Sequence, residues 1–144
     1  MGLEKIVTVV ESDITQSSSK SKLPKAGTVD LVTMSYSYSM IPDQKAAIAN
    51  CESLLTKGGH LAIADFFQKG NFDDCLPKVS RFAREVESKF HKLWFSFDNV
   101  HLLDDSQLQI GKNLELIWDN RFRGSVPFLP FLNPYHGVII YKKN

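Results

Sequence analysis

The chain predicts an α/β fold in which parallel strands are followed by an antiparallel pair near the C-terminus. Three observations carry that expectation. Residues 30–34 (DLVTM) and 60–64 (HLAIA) are short apolar runs of the kind buried on both faces of a parallel sheet. Between them come a polar break at Pro42-Asp43 and an apolar series at helical spacing, which makes a right-handed strand–helix–strand crossover. Two later runs, 114–118 (LELIW) and 137–141 (GVIIY), have no helical pattern between them and so predict antiparallel neighbours.

Residues 6–10 (IVTVV) are β-branched and predict a first strand, closed by Glu11-Ser12-Asp13. Residues 15–27 are rich in Ser and Lys and predict a surface loop. Asp43 is placed to cap the following helix, on which Ala46, Ala47, Ile48, Cys51, Leu54 and Leu55 share one side. Gly58-Gly59 suits a left-handed helix end. After a turn at 68–71, Asp73-Asp74 predicts the start of a helix over 76–92, with Pro77 in its first turn. Phe82, Val86, Phe90 and Leu93 form its apolar stripe. Residues 94–103 are aromatic and irregular, Asp104-Asp105-Ser106 marks a turn, and 122–134 reads as a loop of Phe, Pro and Leu. Strands 6–10, 30–34 and 60–64 are expected to be parallel within three layers, with 137–141 antiparallel between its neighbours or at their edge.

At 144 residues the chain predicts one domain, and 43% hydrophobic with 23% charged residues is ordinary for a globular protein. A net charge of +1 without a basic stripe argues against nucleic acid as a partner. Cys51 and Cys75 lack metal spacing and read as buried thiols rather than a disulfide. His60, His91 and His101 have no partners at metal spacing, so no metal is expected. No run is long enough for a membrane span and residues 1–5 lack a signal-peptide pattern, which predicts the cytoplasm.

The element order resembles the second half of a class I S-adenosylmethionine-dependent methyltransferase. The closer likeness is to the methyltransferase domain of betaine lipid synthases. It rests on DLVTMSYSYSMIP at 30–42, the Gly-Gly…Asp-Phe segment at 58–66, Trp94 to Val100, and RGSVPFLPFLNPYHG at 123–137. The likeness spans nearly the whole chain, with the Ser-Tyr-Ser-x-Ser-Met-Ile-Pro piece its most specific part. One departure stands out. None of the eight glycines forms the G-x-G-x-x-G turn that admits the cofactor in this superfamily. The resemblance therefore implies a partial Rossmann-like methyltransferase fold, residues 1–144 forming one partial domain without its first βαβ unit and its Gly-rich segment. Such a chain looks like the C-terminal portion of the domain, from a truncated gene, a partial gene model or a split protein.

Ligands of open α/β sheets bind beyond the strand C-termini, which draws attention to 35–39 (SYSYS), 65–67 (DFF) and Asp13. The resemblance places Ser35, Ser37 and Asp13 on the cofactor, with Asp13 meeting the adenine amine; a solvated turn aspartate is the alternative. Tyr36 and Tyr38 are the candidate acceptor-site residues, because aromatic faces attract a sulfonium and an amine gaining charge. Alternation in an extended segment predicts that they share a side, with Ser37 opposite; packing on a helix is the competing role for either. His136 is a candidate base for the amine proton, although a lone histidine is more often structural. Asp65 is expected to hold a loop through backbone amides or to orient the acceptor. Trp94 and Tyr135 join the aromatic wall by resemblance alone.

The resemblance implies S-adenosylmethionine-dependent N-methylation of the amino group of a diacylglycerylhomoserine-like betaine-lipid precursor. Phe122, Phe128, Leu129, Phe131 and Leu132 then meet acyl chains or a membrane surface, or simply cover the sheet. Two alternatives stay open: a methyltransferase for another small amine, and a non-catalytic remnant that binds a partner chain, such as a missing N-terminal half, through its unpaired edge.

Overall fold

The computed structural model describes residues 6–16, 22–71, 78–97, 100–108, 110, 113–124 and 134–144. Four strands, β1 (Val29–Ser35), β2 (Leu55–Phe67), β3 (Leu114–Arg123) and β4 (Tyr135–Lys143), make one sheet in the order β1-β2-β4-β3. β1 and β2 are parallel, whereas β4 runs antiparallel between β2 and β3. This is the partial Rossmann-like mixed sheet that the sequence predicts, with the last strand between its neighbours.

The crossover helix α1 (Gln44–Leu54) starts where expected, as the Ala46 amide donates to the Asp43 carboxylate at 2.9 Å. It stops earlier than Gly58, however. Leu55 is already extended, and residues 56–59 bulge out of the pairing between Val29↔Leu55 and Leu31↔His60. Gly58 does adopt a left-handed φ of 81°, but within this bulge rather than as a helix cap.

Strict alternation along β2 separates two faces. Leu61, Ile63, Asp65 and Phe67 are buried, and by register share their face with Met34, Ile139 and Tyr141. Ala47, Ile48 and Cys51 of α1, together with Leu103, Leu108 and Ile110, complete that core. The opposite face carries Leu31, Trp118 and Phe122, each at least half exposed. Among the described residues a helix over 78–96 reaches that face at its edge, where Phe95 meets Phe66, and none packs along the rest of it, so they do not form the third expected layer.

Residues 6–10 form no strand. Ile6, Val7, Val9 and Val10 are exposed, and β-branching without a paired neighbour does not hold a strand. The second helix, α2 (Lys78–Ser96), covers most of the expected range, but its stripe faces solvent, with Phe82 70% and Leu93 62% exposed. Cys51 is a buried free thiol, and burial pushes its pKa up to about 11. The expectations for Asp73-Asp74, Cys75, Pro77, Phe128, Leu129, Phe131 and Leu132 lie outside the described residues.

Candidate active site

Beyond the C-terminal end of β1 the chain makes an abrupt turn. The Tyr36 amide continues the ladder by donating to the Ala64 carbonyl at 2.7 Å, but Tyr36 itself takes a left-handed φ of 49°. A 3-10 turn over Tyr38–Met40 follows. Asp65 holds it: the fully buried carboxylate accepts the Ser39 amide at 2.9 Å and the Phe66 amide at 2.8 Å. Both backbone amides thus find an acceptor inside the core. The loop-holding role expected of Asp65 is the one observed.

The left-handed residue sends the two tyrosines apart, which corrects the expectation that they share a side. Tyr38 enters the core, 2% exposed, with its hydroxyl 3.4 Å from the Gln107 carbonyl, and burial pushes its pKa up to about 12. Tyr36 turns to the opposite face of the sheet. Its ring lies 5.0 Å from that of Phe66, and its hydroxyl is 3.2 Å from His136 Nδ1.

Register explains how His136 arrives there. Phe66 of β2, His136 of β4 and Phe122 of β3 are lateral neighbours on one face. The His136 ring stacks on Phe66 at 6.5 Å and tilts against Phe122 at 4.2 Å. From α2, Phe95 adds a ring 5.1 Å from Phe66. Gly124 lies beside the imidazole, where a Cβ would stand 3.1 Å from Nε2. The result is an aromatic cluster at the C-terminal edge of the parallel strands, with Tyr36 still 47% exposed.

The other candidates fall elsewhere. Asp13 binds its own turn, accepting the Thr15 hydroxyl at 2.7 Å, the Thr15 amide at 2.8 Å and the Gln16 side chain at 2.9 Å. Those bonds, the Thr15 hydroxyl first, hold its carboxyl below the usual range. The adjacent Ile14 carbonyl accepts from Asn50, which ties the turn to α1. Ser35 is the last residue of β1, and Ser37 opens the 3-10 turn, its carbonyl accepting the Met40 amide. Trp94 packs with Phe90 on the solvent side of α2, while Tyr135 receives the Arg123 guanidinium over its ring at 5.6 Å. Sequence reasoning missed Phe95 and the pairing of Phe122 with His136; only the β3–β4 register reveals the latter.

No family model and no curated protein sequence matches the chain. Solved structures do. A SAM-dependent methyltransferase from Methanosarcina mazei superposes with a TM-score of 0.56 at 13% identity, covering 92% of this chain and 65% of its own. One from Anabaena variabilis gives 0.58 at 11% identity, covering 92% and 56%. A Thermotoga maritima SAM-dependent methyltransferase, described as a possible histamine N-methyltransferase, gives 0.57 at 14%, covering 97% and 65%. The fold is therefore that of SAM-dependent methyltransferases, and the chain spans roughly three-fifths of the length of these neighbours.

Proposed function

We propose that the chain forms the acceptor side of an S-adenosylmethionine-dependent N-methyltransferase acting on a lipid-borne amine, of the kind found in betaine-lipid precursors. The observation that carries this reading is the Tyr36–His136 bond within the ring cluster at the strand ends. The residues present fit the sulfonium end of the donor, since the half-exposed Tyr36 ring and Phe66 offer aromatic faces to a cation. When bound, S-adenosylmethionine supplies the methyl group. Tyr36 and Phe66 orient the amine and offset its growing charge by about 0.5–2 kcal/mol per ring. In the tautomer whose Nδ1–H donates to the Tyr36 oxygen, His136 keeps a lone pair on Nε2 for the amine proton, and Gly124 leaves that nitrogen approachable. Displacement at a methyl group depends on alignment more than on strong acid or base, which suits so sparse a polar set.

The test is methyl transfer from labelled donor, supplied at high concentration, to diacylglycerylhomoserine and to soluble amines. Tyr36→Ala is expected to depress the second and third methylations most, Tyr36→Phe far less, and His136→Gln all three. Absence of transfer to any amine would remove this reading. The half-exposed sheet face with Leu31, Trp118 and Phe122 then favours the second one, a partner-binding remnant of the fold.

A further inference from the structure

The apolar stripe of α2 is a feature of the described surface that methyl transfer does not explain. Phe82, Val86, Phe90, Leu93 and Trp94 lie on one side of the helix, and Phe97 just past its end extends the stripe, every one of them 45% exposed or more. The body-facing side is occupied otherwise: Ser88 donates to the Gln68 carbonyl, Glu87 pairs with Arg123, and His91 is buried. No described helix is long and apolar enough to cross a membrane, and α2 carries its charge along the edge of the stripe.

That charge has a sign. α2 contains five Lys and Arg against Glu85 and Glu87, a net +3 in a chain whose total is +1, so everything outside the helix sums to −2. Lys89, its side chain 75% exposed and in a solvent-exposed i,i+4 pair with Glu85 that an anionic surface can displace, and the exposed Lys92 stand at the solvent edge of the stripe. A helix with Phe, Trp and Leu on one side and lysines beside them matches an interface that is apolar within and negative at its rim. A second copy of α2 would set like charges against each other.

We propose that α2 lies in the plane of an anionic membrane surface, its stripe in the headgroup–acyl boundary and Lys89 and Lys92 at the level of the phosphates. The docking is independent of methyl transfer, although Phe95 on the same helix reaches the Tyr36–His136 cluster and would bring it to the lipid.

Co-sedimentation of the full chain with phosphatidylcholine vesicles, with and without about a quarter phosphatidylserine, tests this. Binding is expected to the anionic vesicles alone, weakening with added salt. Lys89→Glu/Lys92→Glu and Leu93→Glu/Phe97→Glu are each expected to lower it roughly tenfold or more, with circular dichroism unchanged. Leu31→Glu, on the open sheet face, is expected to leave it intact. A readout that does not depend on the helix variants folding is Trp94 emission in Trp118→Phe, which should shift to the blue and be quenched by brominated acyl chains. Equal binding to neutral vesicles, loss with Leu31→Glu, unquenched Trp94, or a lipid-free dimer that Leu93→Glu/Phe97→Glu disperses would each overturn the proposal.

Discussion

Tyr36 and Tyr38 are two positions apart and do opposite things, because a single left-handed residue reverses the side on which the chain presents its rings. The sequence shows two equivalent tyrosines; the turn that separates them depends on Asp65, twenty-six positions downstream of Ser39, and local pattern cannot reveal it. Tyr38→Ala is expected to cost about 3–5 kcal/mol in denaturant unfolding, as large core deletions do, whereas Tyr38→Phe should cost under about 1 kcal/mol because the hydroxyl's bond is long. Tyr38 and Cys51 also set an alkaline limit. Burial raises both above their ordinary values, from 10.0 to about 12 and from 9.0 to about 11. The folded state therefore keeps protons that the unfolded chain releases. Stability is fully present below about pH 9 and falls as pH rises through the folded values, by about 1.4 kcal/mol per pH unit for each proton. Urea titrations across pH 8 to about 11 should show this slope, reduced in Cys51→Ala.

At the scale of elements, β1, β2, β3, β4 and α1 were legible because period-2 and helical patterns coincide with turn and cap residues. Residues 6–10 were misleading, since β-branched composition cannot reveal whether a partner edge exists. α2 was legible as a helix, but the direction of its stripe was not, because amphipathicity names a face without naming what lies against it. The candidate ring cluster was legible in part: Tyr36 and His136, which the structure brings together, were marked, while the β3–β4 register that adds Phe122 was not. Gly137 anchors that register. A Cβ there would collide with the Asn120 carbonyl and stand 2.8 Å from the Arg121 Cα. Gly137→Ala is therefore expected to part β4 from β3, seen as a loss of several kcal/mol in unfolding and faster amide exchange over Leu114–Arg123. Gly58→Asn, at a left-handed site with nothing within 4 Å, should be nearly neutral in the same assay.

Taken whole, the sheet buries one face in the core, while on the other Leu31, Trp118 and Phe122 stay half exposed among the described residues. The chain contains no glycine-rich turn to receive the methionine and ribose portions of the donor. Losing several charge-assisted bonds of about 1.5–3 kcal/mol each predicts weak or undetectable binding of S-adenosylmethionine by calorimetry. Micromolar affinity would show that another surface takes the place of that turn. The strand order has a consequence in time as well as in space. Among the described residues β4 is the last strand in chain order and one of the two central strands of the sheet, and β2 and β3 are joined through residues 135–143. During synthesis β3 cannot join β2 until those residues have emerged, and β2 waits with the N–H and C=O groups of one edge unpaired. Pairing of that kind is non-local and slow, and it leaves the β2 edge open to association with other chains until it closes.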